Sequence, residues 1–255
     1  MTGNGKYNGN GHDHDDGPEE APVKKVIHFP TRAERQARKE SLRKKPPKPP
    51  REQLINLPRT TKILAISFLV IHVAASFLLN SEQQYWVFTH FGFVPARYTG
   101  HMPFDVTAIV APLTYMFLHG GWSHVLLNTV MTAAFGAGAE RLIGPRRMIV
   151  FFVLCSIAAA LAQFIVSPFS EAPVIGASGG LSGLFAAIIL IMQKMGMGGQ
   201  GRYGVWPFVA LWVSITILLG SMGGAPGGGN VAWVAHLGGF LAGFVLLKPV
   251  MRWVK

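Results

Sequence analysis

Hydrophobic residues in this chain gather into six runs, and polar residues collect between them and ahead of the first. Beyond Thr61 the runs cover roughly 63–79, 123–139, 148–167, 177–193, 204–220 and 231–249. At about 1.5 Å per residue, a hydrocarbon core of about 30 Å needs about 20 residues in a helix. Each run therefore predicts a membrane-spanning helix, the shorter ones borrowing flanking turns. Connecting charges set the expected orientation. Arg141, Arg146 and Arg147 follow the second run, Lys194 and Arg202 the fourth, and Lys248, Arg252 and Lys255 the sixth, whereas the other three connections carry Arg97 alone. By the positive-inside rule both termini are expected in the cytoplasm.

Composition agrees with this reading. Half of the residues are hydrophobic, 14% are charged and the mean hydropathy is +0.34, which marks an all-α membrane protein. A net charge of +11 would suit nucleic acid, but its placement points to membrane orientation instead, and no nucleic-acid partner is expected. The single cysteine, Cys155, lies in an apolar run, so an intrachain disulfide and a cysteine metal cluster are excluded.

Residues 1–60 differ from the remainder, 61–255. The opening stretch is rich in Gly, Asn and Asp and has too little apolar content to offset the entropy of ordering. His12 and His14 among Asp13, Asp15 and Asp16 read as part of a flexible acidic tail rather than a metal site. From Lys24 the chain turns basic and ends in KKPPKPPRE, where prolines exclude helix. No secretory signal is expected, because no apolar region with a cleavage site follows an N-terminal basic patch. A disordered, basic, cytoplasmic tail is the expectation for 1–60.

Four polar side chains inside the spans carry candidate chemistry. Ser178 lies in VIGASGGLSGL, His236 in AWVAHLGGFLAG, and His124 and Asn128 lie one helical turn apart in WSHVLLNTV. Runs two, four and six descend from the same face, which places His124, Ser178 and His236 about 5 to 10 Å below the outer boundary. Polar groups gathered at one depth in a membrane predict a functional site. The chemistry reads as acyl transfer: Ser178 as nucleophile and His236 as its base, with no acid at this depth and hence a Ser/His dyad. The Asn128 amide, the His124 ring and the Ser178 backbone N–H are candidate oxyanion donors. Gly176, Gly179, Gly180 and Gly183 remove side chains from the serine helix, and Gly239 and Gly243 form GxxxG after His236, so that two helices can approach closely. A zinc site from His119, His124 and His236 lacks a supporting carboxylate or HExxH pattern. Neither metal nor cofactor is expected.

These motifs resemble the rhomboid family of intramembrane serine proteases. The resemblance covers about Lys62 to Lys255 and rests on HGGWSHVLLN, AERLIG, GASG around Ser178 and AHLGGFLAG around His236. It implies a six-helix rhomboid-like bundle, with Ser178 as nucleophile, His236 as base, and His124 and Asn128 as oxyanion support. Glu140 and Arg141 match a cytoplasmic-end motif taken as structural. The implied activity is cleavage of single-span membrane proteins near the outer face. The expected setting is a multi-pass protein of a bacterial plasma membrane, with lipid bilayer and single-span substrates as partners. Two departures from the family pattern stand out: Ser182 occupies a position where several members place an aromatic ring beneath the histidine, and the first outer loop lacks a Trp-Arg pair. That loop, 80–122, is aromatic and expected to be partly embedded in the headgroup region. The loop 220–230, with its many glycines, is expected to move with span five to admit substrate. A catalytically inactive relative that binds or chaperones membrane proteins is the alternative function. A small-solute transporter ranks third, for want of an internal repeat.

Overall fold

The computed structural model describes residues 30–43, 56–196, 204–221 and 233–254. The chain falls into two units, 1–53 and 54–255.

In the first unit, helix α1 covers Arg32–Arg43. This corrects the expectation of disorder throughout 1–60. Thr31 and Glu34 form a reciprocal cap: Glu34 N donates to Thr31 Oγ1 (3.3 Å), and Thr31 N donates to Glu34 Oε2 (2.7 Å). The Ala, Arg, Gln, Lys and Glu residues after the cap are strong helix formers, and helix-excluding prolines begin only at Pro46. The His12 and His14 stretch lies outside the described residues.

The second unit is an all-α membrane fold. Its helices are α2 (Arg59–Leu78), α3 (Ser81–Phe91), α4 (Val106–Thr114), α5 (Trp122–Met131), α6 (Ala137–Ile143), α7 (Pro145–Val166), α8 (Ser178–Lys194), α9 (Trp206–Ser221) and α10 (Trp233–Trp253). All six apolar runs are helical: α2, the pair α5 and α6 joined by a π-turn at Thr132–Gly136, then α7, α8, α9 and α10. Among the described residues, α2, α7 and α10 are each long and apolar enough to cross a membrane unaided. The α6–α7 junction is a sharp turn at Gly144, with φ +86°, a value that suits glycine, followed by Pro145 at the first position of α7.

Helix α8 is central. Leu181, Leu184, Ala186 and Ala187 are fully buried, and α8 packs against both α7 and α10. Small residues permit this. A Cβ at Gly183 would collide with Cys155 of α7, and one at Gly243 of α10 would lie 2.6 Å from the Gly183 carbonyl oxygen. A Cβ at Gly179 would lie 2.5 Å from the Cβ of Ala159, and one at Gly239 would overlap the Gly179 carbonyl oxygen.

Glu140 ties the start of α2 to α6. Its carboxylate accepts from Thr60 N (3.1 Å), Thr61 N (2.7 Å) and Thr61 Oγ1 (2.7 Å). Helix α2 has Pro58 at its N-cap and no local side-chain cap, so Glu140 supplies both the cap and a negative charge at the positive end of the helix. Arg141 donates to the Asn56 carbonyl. These contacts carry the membrane unit back past residue 61, ahead of the expected boundary. Glu140→Ala is expected to lower stability in detergent by about 1–3 kcal/mol, since it leaves the buried Thr61 N–H and hydroxyl without their acceptor; thermal unfolding of the purified variant measures this.

The loop 80–122 is more ordered than its sequence suggests. Helix α3 opens on a capping box between Asn80 and Gln83. Arg97, in the 3₁₀ turn Pro95–Tyr98, is 4% exposed and organises the segment that leads into α4. Its guanidinium donates to His90 O (3.0 Å), Pro103 O (3.2 Å), Thr107 Oγ1 (3.0 Å) and Asp105 Oδ1 (2.5 Å). Asp105 caps α4 through Thr107 N; hydrogen bonds from Thr107, reinforced by Arg97, hold its carboxyl down to about 2. Arg97 thus braces a loop that lacks the Trp-Arg pair. The loop aromatics divide between two environments: Trp86 and Phe104 are exposed, while Phe93 is buried and Tyr98 stacks on it. The glycine-rich loop 220–230 lies, apart from its first two residues, outside the described residues.

Candidate active site

Ser178 is the first residue of α8. The segment leading to it is extended rather than helical: Val174 pairs with Phe93 through two backbone hydrogen bonds of 2.8 and 3.0 Å, and Gly176 N donates to Tyr115 O (2.9 Å). Gly176 has φ +113°, a conformation that side-chain-bearing residues rarely adopt. This corrects the expectation that Gly176 thins the serine helix. It lies in the turn ahead of α8, and that turn exposes the orphan N–H groups of the helix start.

His236 reaches Ser178 from the first turn of α10, with Nε2 2.6 Å from Oγ. The tautomer bearing its proton on Nδ1 accepts the hydroxyl hydrogen at Nε2. The register that brings the two together comes from backbone packing. A Cβ at Gly239, one turn from His236 on α10, would overlap the carbonyl oxygen of Gly179, the residue after Ser178. Among the described residues no aromatic ring stacks on His236, so helix-to-helix contact, rather than a ring beneath it, holds the imidazole.

His124 and Asn128 complete the cluster from α5. An added Cβ at Gly176 would lie 2.6 Å from His124 Nε2 and 3.5 Å from Asn128 Nδ2, so both side chains press against the backbone two residues before Ser178. Asn128 is 2% exposed, and among the described residues its Nδ2 has no hydrogen-bond partner. A buried amide donor without an acceptor is costly, and here it faces the turn where negative charge would develop during acyl transfer.

Ser182 is displaced from this cluster. It is 0% exposed, and its hydroxyl donates to Ser178 O (2.8 Å) within the same helix. Among the described residues no three His, Cys, Asp or Glu side chains are grouped to hold a metal ion.

A family model described as the rhomboid domain matches residues 108–253, more than half of the chain. The chain belongs to the rhomboid family. Relatives of this rhomboid include rhomboid-related protein 3 of Homo sapiens, 30% identical over 55% of this chain and 36% of that protein. Rhomboid protease GluP of Bacillus subtilis is 27% identical over 52% of this chain and 24% of its own length. Rhomboid-related protein 2 of Mus musculus is 26% identical over 73% of this chain and 63% of its own. The chain therefore spans about a quarter to two thirds of the length of these rhomboid relatives.

Two groups near the site escape a reading of the sequence. His72 of α2 is buried and donates from Nδ1 to His119 O (3.1 Å), while its ring meets Trp122 edge-on. His119 packs edge-to-face on His124, ring centroids 5.1 Å apart. A histidine inside the first span is itself a signal of function, but its neighbour lies 47 residues away in sequence and no spacing rule connects them. Tyr115 is the second group. It receives Gly176 N at its carbonyl and donates its hydroxyl to Ser156 O (2.6 Å), which fixes the turn ahead of Ser178 against α7. It reads in sequence as an ordinary aromatic.

Proposed function

We propose that this rhomboid is an intramembrane serine endopeptidase acting through a Ser178/His236 dyad. The observation that carries the reading is the 2.6 Å approach of Ser178 Oγ to His236 Nε2, with a buried Asn128 amide beside it whose Nδ2 has no partner among the described residues. In the first step the Ser178 hydroxyl passes its proton to His236 Nε2 as Oγ bonds to the scissile carbonyl carbon. The carbonyl oxygen becomes an oxyanion and accepts hydrogen bonds from Asn128 Nδ2, His124 and the free N–H of Ser178. Collapse breaks the C–N bond, and the departing amine takes the proton from His236. Water, deprotonated by His236, then attacks the acyl-serine; the carboxyl product leaves and Oγ recovers the proton. Cleavage of a purified single-span substrate in detergent tests the proposal, and its dependence on Ser178 is the deciding comparison.

Helix α8 has 17 residues, about 25 Å, against a hydrocarbon core of about 30 Å. A serine at the start of so short a span suits cleavage of transmembrane segments just inside the outer boundary. A scissile carbonyl in an intact helix is already hydrogen-bonded and shielded by side chains, so it must unwind before attack. Substrates with Gly or Pro below the cleavage site are expected to be cut faster than variants carrying Leu there, as measured by initial rates; equal rates would show that unwinding does not limit cleavage.

In the proposed topology both termini lie in the cytoplasm of a bacterial cell, with the site toward the opposite face. Reporter fusions after Arg146 and Arg202 are expected to give cytoplasmic signals, and a fusion after Glu171 the opposite one. A cytoplasmic signal at Glu171 would invert the site.

A further inference from the structure

The chemistry proposed for the membrane unit leaves helix α1 without a role. At about 100° per residue, Arg32, Arg35, Arg38 and Lys39 of α1 fall within about 120° of one another. Glu34, Glu40, Ala33, Ala37 and Ser41 occupy the remaining circumference. The helix is thus divided by charge rather than by hydropathy. Every residue from Pro30 to Ser41 is exposed. Among the described residues neither Glu34 nor Glu40 forms an ion pair with the four cations, since Arg97–Asp105 is the ion pair found there. Arg35 donates Nε to Pro30 O (2.9 Å), which uses one of its five N–H groups.

We infer that the Arg32, Arg35, Arg38 and Lys39 face of α1 is a docking surface for the anionic phospholipid headgroups of the bilayer that holds the second unit. Charge complementarity supports this occupant, and covalent continuity strengthens it. Arg43, the last residue of α1, lies sixteen positions before Arg59, the first of α2, so the linking chain reaches at most about 55 Å and keeps headgroups at high effective concentration. The intervening sequence adds Lys44, Lys45, Lys48 and Arg51, the polybasic pattern next to a first span that attracts anionic lipid. Nucleic acid is the less suitable occupant, because RAERQARKESLR offers no aromatic ring for base stacking. Leu42 is the one large apolar residue on this arc, so the helix would rest mainly on headgroups, and its binding would be sensitive to salt.

The test is amide hydrogen exchange over 32–43 in the full chain, reconstituted in nanodiscs of phosphatidylcholine alone or mixed with phosphatidylglycerol. A twelve-residue helix is marginal by itself in water, so docking should slow exchange in the anionic discs by about tenfold or more. That protection should vanish at about 0.5 M NaCl and in the triple variant Arg35→Gln, Arg38→Gln, Lys39→Gln, which keeps helix propensity; exchange in α7 should not change. Equal exchange in the two lipids, or protection that survives the triple substitution, overturns the inference. So does a single-stranded RNA that protects α1 in neutral discs as strongly as anionic lipid does, a result that would assign the face to nucleic acid. None of these outcomes depends on proteolysis.

Discussion

Ser178→Ala is expected to abolish cleavage of a single-span substrate, by about 10⁴-fold or more, together with labelling by a fluorophosphonate probe. Ser182→Ala should retain both within about tenfold. The two serines lie in the same repeated pattern, Gly, any residue, Ser, Gly, and their environments separate them. Ser178 is half-buried, opens the helix and stands 2.6 Å from His236 Nε2. Ser182 is fully buried and spends its proton on the Ser178 carbonyl. A probe that phosphonylates serine needs a deprotonating base and a path to the oxygen, and Ser182 has neither in this arrangement. If the Ser182 variant loses labelling while the Ser178 variant keeps it, the nucleophile has been misassigned. If wild-type protein fails to cleave and fails to label, the alternative of an inactive binding protein gains ground.

The second large effect is expected at Gly239, which takes no part in proton transfer. Its hypothetical Cβ would overlap the Gly179 carbonyl oxygen, a backbone atom in the centre of the bundle that cannot swing aside. Gly239→Ala must therefore push α10 away from α8. A displacement of about 1 Å carries His236 past good hydrogen-bond distance from Ser178 and can cost about 100-fold in rate, with about 1–3 kcal/mol of lost stability from overpacking. Gly138→Ala is the matched control. Its Cβ would meet the tip of Ile188 at 3.1 Å, a flexible end that can yield, so cleavage and thermal midpoint should stay near wild type. Comparing cleavage rates and unfolding midpoints of the two variants decides the matter. Unchanged activity in Gly239→Ala would mean that the α8–α10 contact does not position the imidazole.

Several features of the molecule are legible without coordinates because they depend on local sequence. Membrane insertion follows from run length and hydropathy, so the six apolar stretches and the all-α fold can be read directly. The four polar side chains that cluster at Ser178 are legible for a related reason: a polar group in an apolar run is conspicuous, and helical rise converts sequence position into distance along the helix. Helix α1 has a local signal of the same kind, Thr31 and Glu34 spaced as a capping box; the proline-rich stretch beyond it and the polar stretch before it mask that signal when 1–60 is read as a whole.

What the tertiary structure decided is contact between segments distant in the chain. Gly176 reads in sequence as part of the serine helix because its neighbours are small and apolar, yet a positive φ, a bond to Tyr115 and the press of His124 make it the turn that exposes the helix start. Arg97 reads as a lone outer charge, and in the fold it is the brace of the first loop, since backbone carbonyls and Asp105 converge on it from several positions. His72 acquires its partner across 47 residues. Hydropathy and rise along a helix are one-dimensional quantities and are written in the sequence itself. Which backbone lies against which glycine depends on how whole helices pack, and for this chain that packing sets the distance from Ser178 to His236.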